Sequence, residues 1–368
     1  MHRSPFVVLL FIVCAACGGG SSPTSPGTPQ APTLGAPGLQ APATDAQVDT
    51  LRPALTVTNA TADQPGARTY EFQISDTTGF TSALTSHVVG FAATTSATGV
   101  AEGAGGTTSW TPDTDLQPAT IFYWRARAHQ GTTVGPWSAV GSFRSKLVGF
   151  NRDGELYDPL IHEETIGTRE GSTQFRGQDG IRLNNAQAYV RYTLSRTLTS
   201  GEISVDVSNL RPNSAAEKPR IFSMSDGASR LFDSKFLFNV QYRGTNGNPA
   251  NAISYKVLMG DNDLKYEPTL PQRQAGVRSL NPDVTYRWTA KWGSTFRLTV
   301  RRLSDNSLVY DSGSESTPGF YNPSPHRVFL GANDSDVEFG TFSGATYTNL
   351  WVGSGPRPAT LGNALAER

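Results

Sequence analysis

The sequence predicts an all-β protein built as two successive β-sandwiches, and three observations predict it. Apolar and polar residues alternate with a period of two over many short runs, the pattern of strands with one buried face. The composition favours turns, with 37 Gly and 24 Pro beside a charged fraction of only 17%. No segment shows the period of a long helix. At 368 residues the chain is long enough for two cores.

The clearest stretch is Val284 to Leu303, VTYRWTAKWGSTFRLTVRRL, which alternates on both sides of Gly293 and reads as a hairpin. With Gly293-Ser294-Thr295 as its loop, Trp292 lies across from Phe296, Ala290 from Leu298 and Trp288 from Val300 on the core side. The other face places Lys291 opposite Arg297, Thr289 opposite Thr299 and Arg287 opposite Arg301. Like charges directly opposite repel, so acidic side chains or a ligand are expected over this face.

In chain order, Met1 to Ala16 has a short basic opening and an apolar run from Phe6 to Val13 that is too short to span a bilayer. It reads as a secretion signal, residues 1–16. The run ends in Cys14-Ala15-Ala16-Cys17-Gly18, which resembles the bacterial lipobox, with Cys14 in place of the usual leucine. The resemblance implies a lipoprotein acylated at Cys17 that meets the membrane through its lipid anchor only. Gly18 is not the aspartate that retains such proteins in the inner membrane, so an outer-membrane or cell-surface place is implied. With Cys14 removed and Cys17 acylated, the mature chain has neither a disulfide nor a thiol catalyst. A net charge of zero argues against nucleic acid as a partner, and a monomer is expected. Residues 17–36, rich in Gly, Ser, Pro and Thr, read as a flexible tether.

Residues 37–146 read as the first sandwich, with its clearest strands at Arg52 to Asn59, Thr69 to Ser75 and Phe122 to His129. Leu116, Pro118, Thr120, Phe122, Trp124, Ala126 and Ala128, followed by Trp137-Ser138 and Phe143, resemble the last two strands of a fibronectin type III domain. Phe122 stands where that family usually has a tyrosine. Such a domain is expected to act as a spacer, with Trp110, Trp124 and Trp137 in core and edge packing. Ala92 to Thr108 reads as a mobile loop of small residues.

Residues 147–354 read as the second sandwich, and 355–368 as a disordered tail. Strands are expected at Leu147 to Phe150, Tyr189 to Leu194, Gly201 to Val207, Phe236 to Tyr242 and Ile253 to Leu258. Beyond the hairpin they are expected at Leu308 to Asp311, Arg327 to Gly331 and Tyr347 to Val352. The run Tyr286 to Gly293, then Phe329-Leu330-Gly331 and Gly344 to Gly353, resembles the concanavalin A-like (laminin G-like) jelly roll. That family includes lectins, glucanases and polysaccharide lyases, so the likeness bears on fold more than on activity.

The alternation also suggests a binding face. Asn239, Gln241 and Arg243 share the polar side of one strand, as Arg191 does on an earlier one and Lys256 on a later one. If these strands lie in one sheet with the hairpin, they join Arg287, Lys291, Arg297 and Arg301 in a basic, amide-rich surface. Guanidinium groups match carboxylates and sulfates bidentately, so an acidic extracellular polysaccharide is the expected partner. Catalytic signals are thin. Retaining hydrolysis needs carboxylates about 5 Å apart, and Glu202 with Asp206 lacks the third acid of the glucanase pattern. For a lyase, Tyr242, His162 and His326, with Tyr321, are the available bases. The jelly-roll resemblance implies a structural calcium, for which Asp153, Glu155 and Asn349 supply oxygen ligands. Asp261-Asn262-Asp263 and Asp334-Ser335-Asp336 read as turns. Non-catalytic polysaccharide recognition is the expected function. The alternatives are a lyase or hydrolase on the same fold, and a structural or protein-adhesion module.

Overall fold

The computed structural model describes residues 30–81, 88–212, 218–226, 236–247, 250–259, 265–266, 279–316, 325–333 and 340–361. The expected signal, the tether up to residue 29, Cys17, Tyr321, the two acidic turns and residues 362–368 lie outside them. The described chain is all-β, its helical content confined to a 3-10 turn at Gly177–Asp179. Nine strands come first: β1 Gly38–Ala41, β2 Ala46–Gln47, β3 Leu55–Thr58, β4 Thr69–Ser75, β5 Thr94–Ala101, β6 Thr107–Trp110, β7 Ile121–Gln130, β8 Thr133–Val134 and β9 Gly141–Arg144. They form a three-stranded sheet ordered β1-β3-β6 and a six-stranded sheet ordered β2-β9-β7-β4-β5, with β8 on β7.

Alternation explains the first core. Tyr70, Phe72 and Ile74 of β4 and Phe122, Trp124, Ala126 and Ala128 of β7 are buried against Leu55 and Val57 of β3. The segment 92–108, expected to be a mobile loop, instead contributes β5 and the start of β6. Its small, largely exposed side chains give no apolar alternation, yet β5 pairs along β4 from Thr69 opposite Ala101 to Ser75 opposite Thr94. Trp137 packs at the edge, under the guanidinium groups of Arg125 and Arg127 at 4.2 and 4.3 Å.

The second sandwich has seventeen strands. In order they are β10 Phe150–Arg152, β11 Glu155–Asp158, β12 Thr168–Glu170, β13 Thr173–Phe175, β14 Ile181–Leu183, β15 Tyr189–Thr193, β16 Gly201–Ser208, β17 Arg220–Ser225 and β18 Phe236–Tyr242. There follow β19 Ile253–Met259, β20 Lys265–Tyr266, β21 Tyr286–Trp292, β22 Thr295–Arg302, β23 Leu308–Asp311, β24 Glu315–Ser316, β25 Arg327–Gly331 and β26 Thr346–Gly353. A ten-stranded sheet runs β10-β11-β26-β16-β21-β22-β23, with β13, β14 and β24 attached. A seven-stranded sheet runs β12-β15-β25-β17-β18-β19-β20.

The β21–β22 hairpin has the predicted register, with Arg287 opposite Arg301, Trp288 opposite Val300 and Lys291 opposite Arg297. Its inner face supplies the core between the sheets. Phe296 stands 5.3 Å from Phe238 and 4.7 Å from Tyr255 of the facing sheet, and Trp292 stands 5.8 Å from Phe238.

A third apolar cluster joins the sandwiches: Val88, Phe91 and Ala119 of the first meet Leu147, Phe150, Tyr157, Trp351 and Leu361. The Arg152 guanidinium lies 3.5 Å over the Phe91 ring, and the Val89 amide donates to Glu155 Oε2 at 2.9 Å. The stretch from 355 to 361, expected to be tail, is packed here. Leu361 is fully buried, and Arg357 Nη2 donates to its carbonyl at 2.7 Å.

On the outer side of the ten-stranded sheet, Asp206 is fully buried and accepts two hydrogen bonds from Arg287, at 2.7 and 2.9 Å. Removing Arg287 leaves that carboxylate with only the Asn349 amide at 3.0 Å and the Arg357 guanidinium at 4.0 Å. Arg287→Ala is therefore expected to cost about 3 kcal/mol in denaturant unfolding, whereas Lys291→Ala, which removes a largely exposed ammonium, costs at most about 1 kcal/mol.

Candidate functional site

The single basic surface expected from the sequence is split between two sheets. Arg287, Lys291, Arg297 and Arg301 lie in the ten-stranded sheet, because the hairpin pairs with β16 and β23 rather than with β15, β18 or β19. The acidic company expected over the hairpin comes from those neighbours. Arg287 pairs with Asp206, Lys291 with Glu202 at 3.2 Å and Arg297 with Asp311. Arg301 donates to the carbonyl of Asn306 at 2.9 Å. These four residues are thus engaged within the ten-stranded sheet and do not join the other five on one face. Glu202 and Asp206, weighed above as catalytic acids, neutralise cations instead.

The Arg297 guanidinium beside Asp311 holds that carboxyl below its ordinary value of 3.8, through the side-chain hydrogen bond before all else. A depressed carboxylate contributes stability that is present above the unfolded pKa and is lost as pH falls through the folded one. Arg297→Ala should therefore return the Asp311 titration, followed by NMR, toward 3.8, with a stability deficit that is fullest above that pH and disappears as pH falls well below it.

The other five predicted residues share the outer face of the seven-stranded sheet, and three of them fall on one straight row. Arg191 of β15 is opposite Phe329 of β25, Phe329 opposite Ser223 of β17, Ser223 opposite Asn239 of β18, and Asn239 opposite Lys256 of β19. At about 4.8 Å per strand the row is ~19 Å long. It has a cation at each end, and between them an aromatic ring, a hydroxyl and an amide that are all buried, Phe329 and Ser223 at 3% exposure and Asn239 at none. Beside it runs a hydrogen-bonded chain. Arg243 Nε donates to Ser254 Oγ at 3.3 Å, Ser254 Oγ to Gln241 Oε1 at 3.0 Å, and Gln241 Nε2 to Asn239 Oδ1 at 2.8 Å. The chain fixes the Asn239 amide so that its Nδ2 is left buried with no acceptor among the described residues. A buried donor without a partner is unfavourable and calls for a ligand or water to accept from it.

Tyr189, also on this face, meets Phe329 edge-on at 5.9 Å. Burial and the nearby Glu170 push its phenol up. The aromatic pair and Ser223 are members of the site that sequence reasoning missed. The signal was present in RVFLG, where Phe329 falls on the polar parity between the core residues Val328 and Leu330.

The expected bases do not assemble. Tyr242 belongs to the core between the sheets, and its hydroxyl accepts the Leu280 amide at 2.8 Å. Burial raises its phenol. His162 sits in the loop after β11 beside Gln178, at 3.1 Å. His326 precedes β25, where its amide and carbonyl bridge Ser225 and Leu194. The two histidines thus lie apart, on different elements.

The calcium set does not form either. Glu155 takes the Val89 amide, and both amide atoms of Asn349 are used, by Tyr157 at 3.0 Å and Asp206 at 3.0 Å. Asp153 occupies the left-handed position, φ 54°, of the β10–β11 turn. Among the described residues no cluster of three acidic, histidine or cysteine side chains suits a metal ion. The residues do not fit the implied ion.

The chain matches no protein-family model and no curated protein sequence. Solved structures resemble it at low identity. The enzymatically active domain of bacteriophage CBA120 tailspike protein 2 aligns with a TM-score of 0.36 and 11% identity, over 60% of this chain and 32% of that one. The alginate lyase Aly36B, in complex with alginate tetrasaccharide, aligns at 0.30 and 14%, over 56% and 82%. The exoplasmic/lumenal domain of VIP36, bound to Ca2+ and Man3GlcNAc, aligns at 0.36 and 12%, over 56% and 90%. This chain thus spans about a third of the tailspike domain it resembles. No residue role passes from any of them to this chain.

Proposed function

We propose that this protein recognises an extracellular polysaccharide, preferentially an acidic one, on the outer face of the seven-stranded sheet. The observation that carries the reading is the row Arg191–Phe329–Ser223–Asn239–Lys256, with its unsatisfied amide at Asn239. Cations at the two ends suit carboxylate or sulfate groups spaced along a chain, and the partly exposed Tyr189 ring, backed by the buried Phe329, suits the apolar face of a sugar. Recognition is preferred to cleavage because Tyr242, three residues from Asn239 in sequence, is turned into the core.

Around that site we place the first sandwich as a fibronectin type III-like spacer and the second as a concanavalin A-like jelly roll. Cys17 is the lipidated residue, and the anchor holds the protein, as a monomer, at the outer membrane or cell surface.

A glycan array with soluble protein beginning at Gln30 tests the reading. Binding to uronate-rich or sulfated chains is expected, weakening as salt rises because the screening length is about 8 Å near physiological ionic strength. Arg191→Ala with Lys256→Ala should lower affinity by about 2 kcal/mol or more, some thirtyfold, with the melting temperature unchanged. Retained affinity in that folded variant removes this face from consideration. Growth of ultraviolet absorbance on incubation with a bound uronate chain would make the protein a lyase.

A further inference from the structure

A second polar surface lies on the opposite side of the same sandwich. There the outer face of the ten-stranded sheet opens into a cleft of about 620 Å³, between the 3-10 turn with its preceding Arg176 and the loop at Asn209 and Asp283. Its floor is another cross-strand row. Arg182 of β14 is opposite Thr346 of β26, and Thr346 is opposite Ser208 of β16. Continuing the β16–β21 register from Val207 opposite Tyr286 brings Thr285 opposite Ser208. One guanidinium is thus followed by three hydroxyls, and Thr348 adds a fourth. Thr346 and Thr348 are only 7% and 8% exposed, yet none of the four hydroxyls is hydrogen-bonded to another described residue.

Charge sets this cleft apart from the rest of the sheet. Arg287, Lys291 and Arg297 each have a carboxylate partner, whereas Arg182 has none, and its Nε is buried without an acceptor. At the rim Asp283 is neutralised by Arg211 at 2.6 Å, which leaves Arg176 and Arg182 facing one unpaired carboxylate, that of Asp179. Pro282 and Leu303 supply apolar contact. Unmade donors on a preset floor are what a bound anion with hydroxyl groups would satisfy.

We propose that this cleft is a second binding site, for a short anionic saccharide. Arg182 and Arg176 take its carboxylate or sulfate, and the row of Thr346, Ser208 and Thr285 takes its hydroxyls. The site is independent of the one proposed on the seven-stranded sheet, since no residue is shared.

The test is NMR titration of the soluble protein with a glucuronic-acid disaccharide, a sulfated disaccharide and inorganic sulfate in parallel. Saturable shifts of the Thr346, Ser208 and Thr285 amides are expected with at least one disaccharide, and the stronger of the two identifies the anionic group. Arg182→Gln should weaken that binding about tenfold or more. Arg182→Lys, which keeps the charge and provides a second folded variant, should weaken it less. The Arg191→Ala, Lys256→Ala variant should bind at this cleft unchanged, so failure of the first site and failure of this one are separable. No shift at these amides, an unaltered affinity in Arg182→Gln, or equal shifts with inorganic sulfate alone would overturn the proposal.

Discussion

The buried carboxylate of Asp206 is the constraint on which much of the second sandwich depends. Taking such a charge out of water costs several kcal/mol, and only a full set of donors offsets it. The forked Arg287 supplies two hydrogen bonds and the Asn349 amide a third at 3.0 Å. Asn349 is itself held by the Tyr157 hydroxyl, and its carbonyl accepts from Arg357 at 3.0 Å. Four strands and the C-terminal segment are thereby locked to one charge: β16 through Asp206, β21 through Arg287, β26 through Asn349 and β11 through Tyr157.

That lock divides the surfaces available for binding. Arg357 draws residues 355 to 361 across the outer face of the ten-stranded sheet, where Leu361 joins Tyr157, Trp351 and the first sandwich in one apolar cluster. The middle of the same face is neutralised by its own ion pairs. The far end of that sheet, around Thr346 and Ser208, carries guanidinium and hydroxyl groups that have no partners among the described residues. The central row of the seven-stranded sheet is built differently. Its polar side chains bond to one another and leave the Asn239 amide for something else.

Much of this was legible in the sequence, and the limits have a physical basis. Alternation predicted the hairpin register residue by residue and placed Arg191, Asn239, Gln241, Arg243 and Lys256 on the outer side of their strands. A period of two tells which way a side chain points, but not which strand lies alongside. Arg287 and Asn239 were therefore grouped on one face, although they belong to different sheets. The repulsion between Arg287 and Arg301 required acids nearby, yet their source, Glu202 and Asp206 of β16, became evident only with the pairing. Tyr242 was read as a possible base from its residue type, while its own parity already put it in the core with Phe238 and Val240. Arg357 and Leu361 stand alone among Gly, Pro and small residues, where no periodicity marks a packed segment.

The most direct test of the account is amide hydrogen exchange of the soluble protein with and without a bound acidic polysaccharide, read strand by strand. The account predicts added protection along β15, β25, β17, β18 and β19, around Phe329, Ser223 and Asn239, with β21 and β22 unchanged between Arg287 and Arg301. Protection confined to β21 and β22 would contradict it, since the cations of the hairpin would then be the binding face and their carboxylate partners would have to give way.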